Sequence, residues 1–494
     1  MSTSTIVLIT LLVYKVVLVG IGLWATSRNK TTTDFFLAGR QLGPFVAGLS
    51  YAASTSSAWV LLGFSGFVYT VGVSALWMVP GIWAGYVVVW LYFGPRLQKE
   101  SAEHQQITLT DFLLQDAAKD TRPGQQSMRK AAATAAAFMI LICFVFYVAA
   151  QFDAAGKALV EHFSISITEA VFLGAAIVLV YALLGGFWAV SVTDTLQAVV
   201  MGLVSIGVPL SALYAVGGFG PTFDLLRTNM PPAYLSLNGG HAWYIFLGFV
   251  IGTIGTSLGA LGQPQLMSRL MAIKGDRERR QGFFIAISWG IIVFIGMTIL
   301  GLSGRALIPA LGSGELLFYQ AAATYLPPVL AGVVVAATLS AVMSTVDSIL
   351  LAAAGAVAHD MGVNQRFPSR QVAASRVVMS VIAGIAVILT LSLPDTIFNR
   401  VLFAWSALGA AFGPIIVWRV SGRAVSAGAA LSCMLVGFLT TVLFYSYGAL
   451  PATDGVLSRA AWLPGDPFER AFPWLPALNV LWLASIRRKG FEQI

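Results

Sequence analysis

Apolar runs about 20 residues long, separated by short polar connections, recur along the whole chain. They lie near residues 5–26, 43–69, 74–95, 131–156, 167–187, 190–216, 241–266, 282–304, 326–352, 373–393, 396–418, 424–448 and 471–486. A helix rises 1.5 Å per residue, so about 20 residues cross ~30 Å of hydrocarbon. The pattern predicts an all-α integral membrane protein with about thirteen transmembrane helices. The longest polar stretch, near 96–130, is a loop and leaves no room for a soluble domain.

Two of these runs are poorly made for simple spanning. The second contains Ser50, Ser54, Thr55, Ser56 and Ser57 in its middle; the seventh contains Gly248, Gly252, Gly255, Gly259 and Gly262 before Gln263 and Pro264. They stand five spans apart, at corresponding positions of two five-helix blocks. Paired, interrupted segments of this kind point to an inverted-repeat transporter core with its binding site at the bilayer midplane. Tight helix packing is the competing reading of the same small residues. The layout expected is a first span and loop (1–42), repeat 1 (43–216), repeat 2 (241–420), and two peripheral spans with a short tail (421–494).

Composition agrees: of 494 residues, 57% are hydrophobic and only 10% charged, against roughly 25% charged in soluble domains. The net charge of +8 reads as loops facing an anionic leaflet, not as nucleic-acid binding. Alternate connections separate by charge. Of the 29 Lys and Arg, 22 fall on one side, and six (Lys157, Arg227, Arg305, Arg400, Arg459, Arg470) on the other, with Lys15 inside the first run. The bias places the N-terminus outside, the C-terminus in the cytoplasm and the chain in the plasma membrane. The first run has no basic segment ahead of it and reads as a retained span, not a signal peptide. Cys143 and Cys433 lie in apolar runs and read as buried thiols.

Ionisable groups inside a span are costly and therefore mark function. Three carboxylates qualify. Asp347 lies in Ser340-Ala341-Val342-Met343-Ser344-Thr345-Val346-Asp347-Ser348. Ser344, Asp347 and Ser348 fall at i, i+3 and i+4, so one helix face offers two hydroxyls and a carboxylate to a hard cation such as sodium. Hydroxyls bonded to their own i−4 carbonyls are the alternative. Asp194, in Gly185-Gly186-Phe187 through Thr193-Asp194-Thr195-Leu196-Gln197, reads equally as a functional carboxylate and as a helix N-cap. Asp153 has Lys157 at i+4 and reads as an ion pair, with recognition of a cationic solute as the alternative.

His104, His162, His241 and His359 are scattered, with no two at metal-site spacing. No phosphate-binding Gly-rich loop with Lys and Ser or Thr is present, so nothing points to ATP. No nucleophile constellation marks an enzyme, no cofactor is implied, and the energy for transport is left to an ion gradient.

The sequence resembles the sodium/solute symporter family, and within it the sodium/proline symporter branch. The resemblance runs from Asp34-Phe35-Phe36-Leu37-Ala38-Gly39-Arg40 through the eleventh span. Its specific matches are Gly185-Gly186-Phe187 with Thr193-Asp194-Thr195-Leu196-Gln197, Gly262-Gln263-Pro264-Gln265 with Arg269, and Ala341-Val342-Met343-Ser344-Thr345. It implies thirteen helices, ten of them in a five-plus-five inverted repeat. It implies a sodium site of the Ala53, Ser56 and Ala341 carbonyls with the Ser344 and Thr345 hydroxyls. It also implies that Asp194 lies near Ser344 and Ser348, where some members hold a second sodium. Asp347 is an additional carboxylate in that region; it could strengthen a second cation site or supply a protonatable group that couples protons instead.

The chain departs from the proline branch at Thr55, where those symporters carry an acidic residue, and at Thr256 and Ala260, which replace an aromatic pair of the pocket. Ser57, Trp59 and Tyr147 keep the pattern, and Gln151 joins them in lining the site. Two small side chains in place of two rings make the pocket roomier and less suited to stacking on a pyrrolidine ring. The function expected is sodium-coupled import of a small organic solute, an amino acid such as proline or a related zwitterion or carboxylate. The alternatives are proton coupling on the same fold and, behind it, a transporter-fold nutrient sensor.

Overall fold

The computed structural model describes residues 3–26, 32–119, 123–160, 163, 165–183, 186–363, 371–393, 395–448 and 467–491. Gly185, His162, Arg28, Lys30, Arg122, Arg366, Arg370 and Arg459 lie outside them, as do the side chains of Lys15, Arg487, Arg488 and Lys489. Among the described residues the chain is helical throughout, with one isolated bridge pairing Leu42 with Ile273.

A helix coincides with every one of the apolar runs. The first half of the chain gives α1 (Thr3–Thr26), α2 (Pro44–Ala58), α3 (Ser65–Val71), α4 (Met78–Val87), α5 (Gly94–Glu103) and α6 (Leu109–Leu113), then α7 (Gln125–Val160), α8 (Ile167–Ala182) and α9 (Phe187–Val216). The second half gives α10 (Trp243–Gly255), α11 (Pro264–Ala272), α12 (Asp276–Leu307), α13 (Pro328–Gly355), α14 (Gln371–Ser392), α15 (Ile397–Val420), α16 (Ala427–Gly448) and α17 (Trp474–Phe491). Nine helical stretches among the described residues are long and apolar enough to cross a bilayer, and the stretch Pro44–Glu103 holds α2 through α5. The turn between α3 and α4 depends on Gly72, whose φ of 74° suits glycine; a Cβ there would lie 2.1 Å from the Tyr234 carbonyl oxygen.

Burial separates the inner helices from the outer ones. Along its most apolar window α15 is 94% buried, whereas α14 is only 33% buried. The exposed side chains of α14, Val377, Val381, Ile385 and Ile388, share one helix face, as a lipid-facing surface requires. Helices α2, α9 and α13 pack on one another around the centre, and α12 packs on α2 and α9. Their contacts rely on small residues: Gly48 on α2 sits against the backbone of Gly282, and Gly296 on α12 against that of Ser205, so the backbones approach closely.

Both runs expected to be interrupted are broken. In α2, Ser57 leaves helical geometry with φ 47° and ψ −172°, a region a non-glycine residue enters at a cost of about 1–3 kcal/mol. The chain then resumes as a π-helical stretch, Trp59–Phe64. In the seventh run, α10 gives way after Gly255 to a 3-10 stretch, Thr256–Gly262, and Gln263 turns the chain into α11.

Candidate functional site

The break at Ser57 frees the start of the following half-helix. The Trp59 amide donates to Ser57 Oγ (3.0 Å), and the Ala58 amide points toward Gln151 Oε1 on α7 (3.4 Å). One turn before Gln151, the Tyr147 hydroxyl has Trp405 and Ser57 as polar neighbours. Ser57, Trp59, Tyr147 and Gln151 are all buried. Ser56 Oγ, Trp59 Nε1, Tyr147 OH, Gln151 Nε2 and Trp405 Nε1 have no hydrogen-bond partner among the described residues. Buried polar atoms are nearly always satisfied, so this concentration of donors is what a polar ligand site presents. Trp59 stacks on Phe398 with ring centres 5.9 Å apart.

Thr256 and Ala260 lie on the 3-10 stretch that packs against α15. The Thr256 hydroxyl bonds the Gly252 carbonyl (3.3 Å). Trp405 joins this stretch to α7, since Gly259 lies against its Cβ while Tyr147 is its polar neighbour. Sequence reasoning passed over Trp405, because one ring in a long apolar run carries no signal. Thr55 bonds its own i−4 carbonyl on Tyr51 (2.7 Å), so this departure from an acidic residue leaves nothing unsatisfied.

On α13, the Ser344 and Thr345 hydroxyls both turn to the Ala341 carbonyl, at 3.2 and 3.0 Å. Helix α2 crosses this face, with Ser54 Oγ donating to the Ser344 carbonyl (3.1 Å). Ala53 and Ser56 on α2 and Ala341, Ser344 and Thr345 on α13 are buried; Thr345 and Ser348 (2.8 Å) donate to their own i−4 carbonyls, the alternative named above for these hydroxyls. The Ser56 carbonyl accepts from the Trp59 amide and retains a second lone pair. The set is all oxygen, the chemistry a hard monovalent cation takes.

Next to it stands a charged cluster that the charge pattern misplaced. Asp194 is no N-cap: α9 begins at Phe187, capped by Gly186, and Asp194 lies two turns inside. Arg269, counted with the basic loops from sequence, is fully buried on α11 and pairs with Asp194 at 2.7 Å. Its guanidinium also donates to Ser50 Oγ (2.8 Å), Ser54 Oγ (2.7 Å), Ser348 Oγ (2.6 Å) and the Gln265 carbonyl (2.6 Å). Asp347 Oδ1 accepts from the Ser348 amide (2.7 Å). Asp194 Oδ1 and Asp347 Oδ2 have no partner among the described residues. Two buried carboxylates thus face one guanidinium. Arg269, which the sequence did not single out as a site residue, links Asp194 to Ser348, and Ser54 reaches both Asp194 (3.4 Å) and the Ser344 carbonyl. A cavity of about 30 Å³, enough for one or two waters, reaches Ser348 between Thr108, Phe187, Gln265 and Gly355.

Asp153 forms the expected pair with Lys157 (2.8 Å), which also reaches Glu315 (2.8 Å). Glu315 in turn accepts from the Phe398 amide (3.1 Å), so this ion-pair network supports the ring that stacks on Trp59.

Residues 35–437 match the sodium:solute symporter family. The osmoregulated proline transporter OpuE of Bacillus subtilis (strain 168) is 32% identical over 463 residues, covering 90% of this chain and 90% of that protein. The sodium/proline symporter of Escherichia coli (strain K12) is 31% identical over 468 residues, covering 91% and 90%. The solved structure of a Na+-coupled sialic acid symporter, substrate-bound and outward-open, superposes with a TM-score of 0.76 over 96% of each chain at 16% identity, a likeness of fold. With its apolar helices, its oxygen-lined crossing and these relatives, the chain belongs to the sodium:solute symporter family, a sodium-coupled solute carrier of the membrane and not an enzyme.

Proposed function

We propose that the chain imports a small zwitterionic amino or imino acid, proline or a near relative, together with sodium across the plasma membrane. The observation that carries this reading is the break at Ser57, which sets unpartnered donors beside the oxygen-rich crossing of α2 and α13. Sodium is held by the Ala53, Ser56 and Ala341 carbonyls and the Ser344 and Thr345 hydroxyls. The solute carboxylate faces the half-helix that starts at Ala58 and Trp59, where the helix dipole favours negative charge. Trp59, Tyr147, Gln151 and Trp405 line the pocket, with Thr256 and Ala260 on the far wall. Sodium orders the broken helix and so raises solute affinity, and the solute raises sodium affinity by the same factor.

Both bacterial relatives carry proline in their names, which supports that solute class. Thr256 and Ala260 leave room beside a pyrrolidine ring, so the same pocket also admits a larger zwitterion. Asp194, Asp347 and Ser348 form a second cation site around Arg269. With both carboxylates ionised, the cluster carries one negative charge in excess, which one sodium ion or one proton balances. The chain crosses the membrane thirteen times, N-terminus outside, with 43–216 and 241–420 as inverted repeats between the flanking segments 1–42 and 421–494. The two broken helices at corresponding positions and the one-sided basic loops support this layout.

The test is thermal unfolding of the purified protein against a panel of amino acids, betaines and short carboxylates, in sodium and in choline. A ligand at a hundred times its Kd adds about 2.7 kcal/mol to stability. The expected result is stabilisation by a zwitterion in sodium only. Stabilisation that is equal in choline, or confined to non-zwitterionic compounds, overturns the reading.

A further inference from the structure

Away from the transport site, the π-helical turn Ala356–Asp360 that continues the end of α13 meets the start of α6. The two segments are far apart in sequence, with His359 and Asp111 separated by 248 positions, which is why no histidine showed metal-site spacing. Asp111 closes a capping box at the start of α6, its Oδ2 accepting from the Ile107 (3.0 Å) and Thr108 (3.3 Å) amides. The same oxygen lies 2.8 Å from His359 Nε2. Beside it, Asp360 Oδ1 accepts from the Thr108 hydroxyl at 2.7 Å. Asp360 Oδ2 is buried and has no partner among the described residues.

One ligand atom from each of Asp111, His359 and Asp360 falls within 4.8 Å of the others. Atoms bound to one tetrahedral ion at about 2.0–2.2 Å stand roughly 3.4 Å apart. The 2.8 Å His359 contact is shorter than that spacing, so an ion bound here opens it and draws the more distant ligand atom inward. One imidazole and two carboxylates suit Zn2+, Co2+ or Mn2+ better than sodium. Arg129 on α7 also reaches His359 electrostatically; a metal takes the imidazole as its neutral base, so binding releases the His359 proton, and the two carboxylates against one guanidinium then leave a charge that favours a cation. The His359 and Asp111 side chains remain 33% and 20% exposed, so an ion has a way in.

We propose that Asp111, His359 and Asp360 form an inhibitory site for a divalent transition-metal ion that clamps α6 to the end of α13. Thr108 and Leu109 on one segment, and Leu351 and Gly355 on the other, wall the cavity that reaches Ser348. A metal bridging the segments fixes the width of that passage and arrests the movement transport needs. Metal binding stands independently of the symporter reading, and only the inhibition rests on it.

Two readouts test this on the full-length protein. The first is the visible absorption of Co2+ titrated into purified protein and displaced by Zn2+. The second is inhibition of sodium-driven uptake by Zn2+ in proteoliposomes, reversed by EDTA. The wild type should bind one Co2+ with a d–d spectrum and lose uptake in Zn2+. His359→Gln and Asp360→Asn should weaken both effects at least about tenfold while uptake without metal persists. Thr108→Ala, which removes a hydrogen bond but no ligand, should keep the Co2+ spectrum and guards against a folding defect. No Co2+ spectrum in the wild type, or Zn2+ inhibition equal in wild type and His359→Gln, overturns the proposal. A Co2+ spectrum without inhibition overturns the clamp.

Discussion

Replacing Arg269 by Gln removes the only guanidinium bonded to Asp194 among the described residues and leaves two buried carboxylates, Asp194 and Asp347, with no compensating charge. At the observed 2.7 Å and an effective dielectric of about 20, the Arg269–Asp194 attraction is about 6 kcal/mol. Desolvation of both groups offsets much of it, and losing one partner of such a pair costs about 3–5 kcal/mol. Asp194→Asn breaks the 2.7 Å ion pair but leaves Asp347 as counter-charge to the guanidinium, so it should cost less than Arg269→Gln. Combining Asp194→Asn with Arg269→Gln removes both charges, so the double variant should be at least about 2 kcal/mol more stable than the sum of the single losses. Denaturant unfolding of all four proteins in detergent, at one sodium concentration, measures this coupling. Additive losses would refute the reasoning, since they would mean the charges do not sense each other.

Other expected outcomes concern individual contacts. Ser344→Ala and Thr345→Ala each remove one sodium ligand and should raise the sodium concentration for half-maximal uptake about tenfold, about 1.4 kcal/mol. Lys157→Met leaves Asp153 and Glu315 facing each other and should destabilise by about 1–3 kcal/mol in thermal unfolding; a further Glu315→Gln should recover part of it. Gly262→Ala places a Cβ 2.1 Å from the Leu408 carbonyl oxygen; the overpacking costs about 1–3 kcal/mol or more and should show as lost expression or a lowered Tm. Gln151→Leu removes the acceptor of the Ala58 amide and should raise the KM for solute more than it lowers kcat.

The bilayer made most of the fold legible. Burying a backbone in hydrocarbon demands helices, so every apolar run holds helix, and the Ser and Gly clusters mark two runs that break. Which residue breaks was not legible, because Ser54, Thr55, Ser56 and Ser57 are alike in propensity and only tertiary packing selects Ser57. The residues proposed to hold cations were half legible. Ser344, Asp347 and Ser348 share a face through helical spacing alone. Arg269 sits in a short segment after Pro264 that reads as a loop, and its burial is fixed by Asp194, 75 residues earlier. Trp405 and the Lys157–Glu315 contact depend likewise on which helices become neighbours, which hydropathy does not encode.

Sodium coupling through the crossing of α2 and α13 is tested most directly by uptake of labelled proline, or of the zwitterion found in the ligand panel, into proteoliposomes at fixed and equal pH. An inward sodium gradient should drive accumulation above equilibrium, choline should abolish it, and Ser344→Ala should shift its sodium dependence. Accumulation that ignores sodium and follows an imposed pH gradient would contradict it.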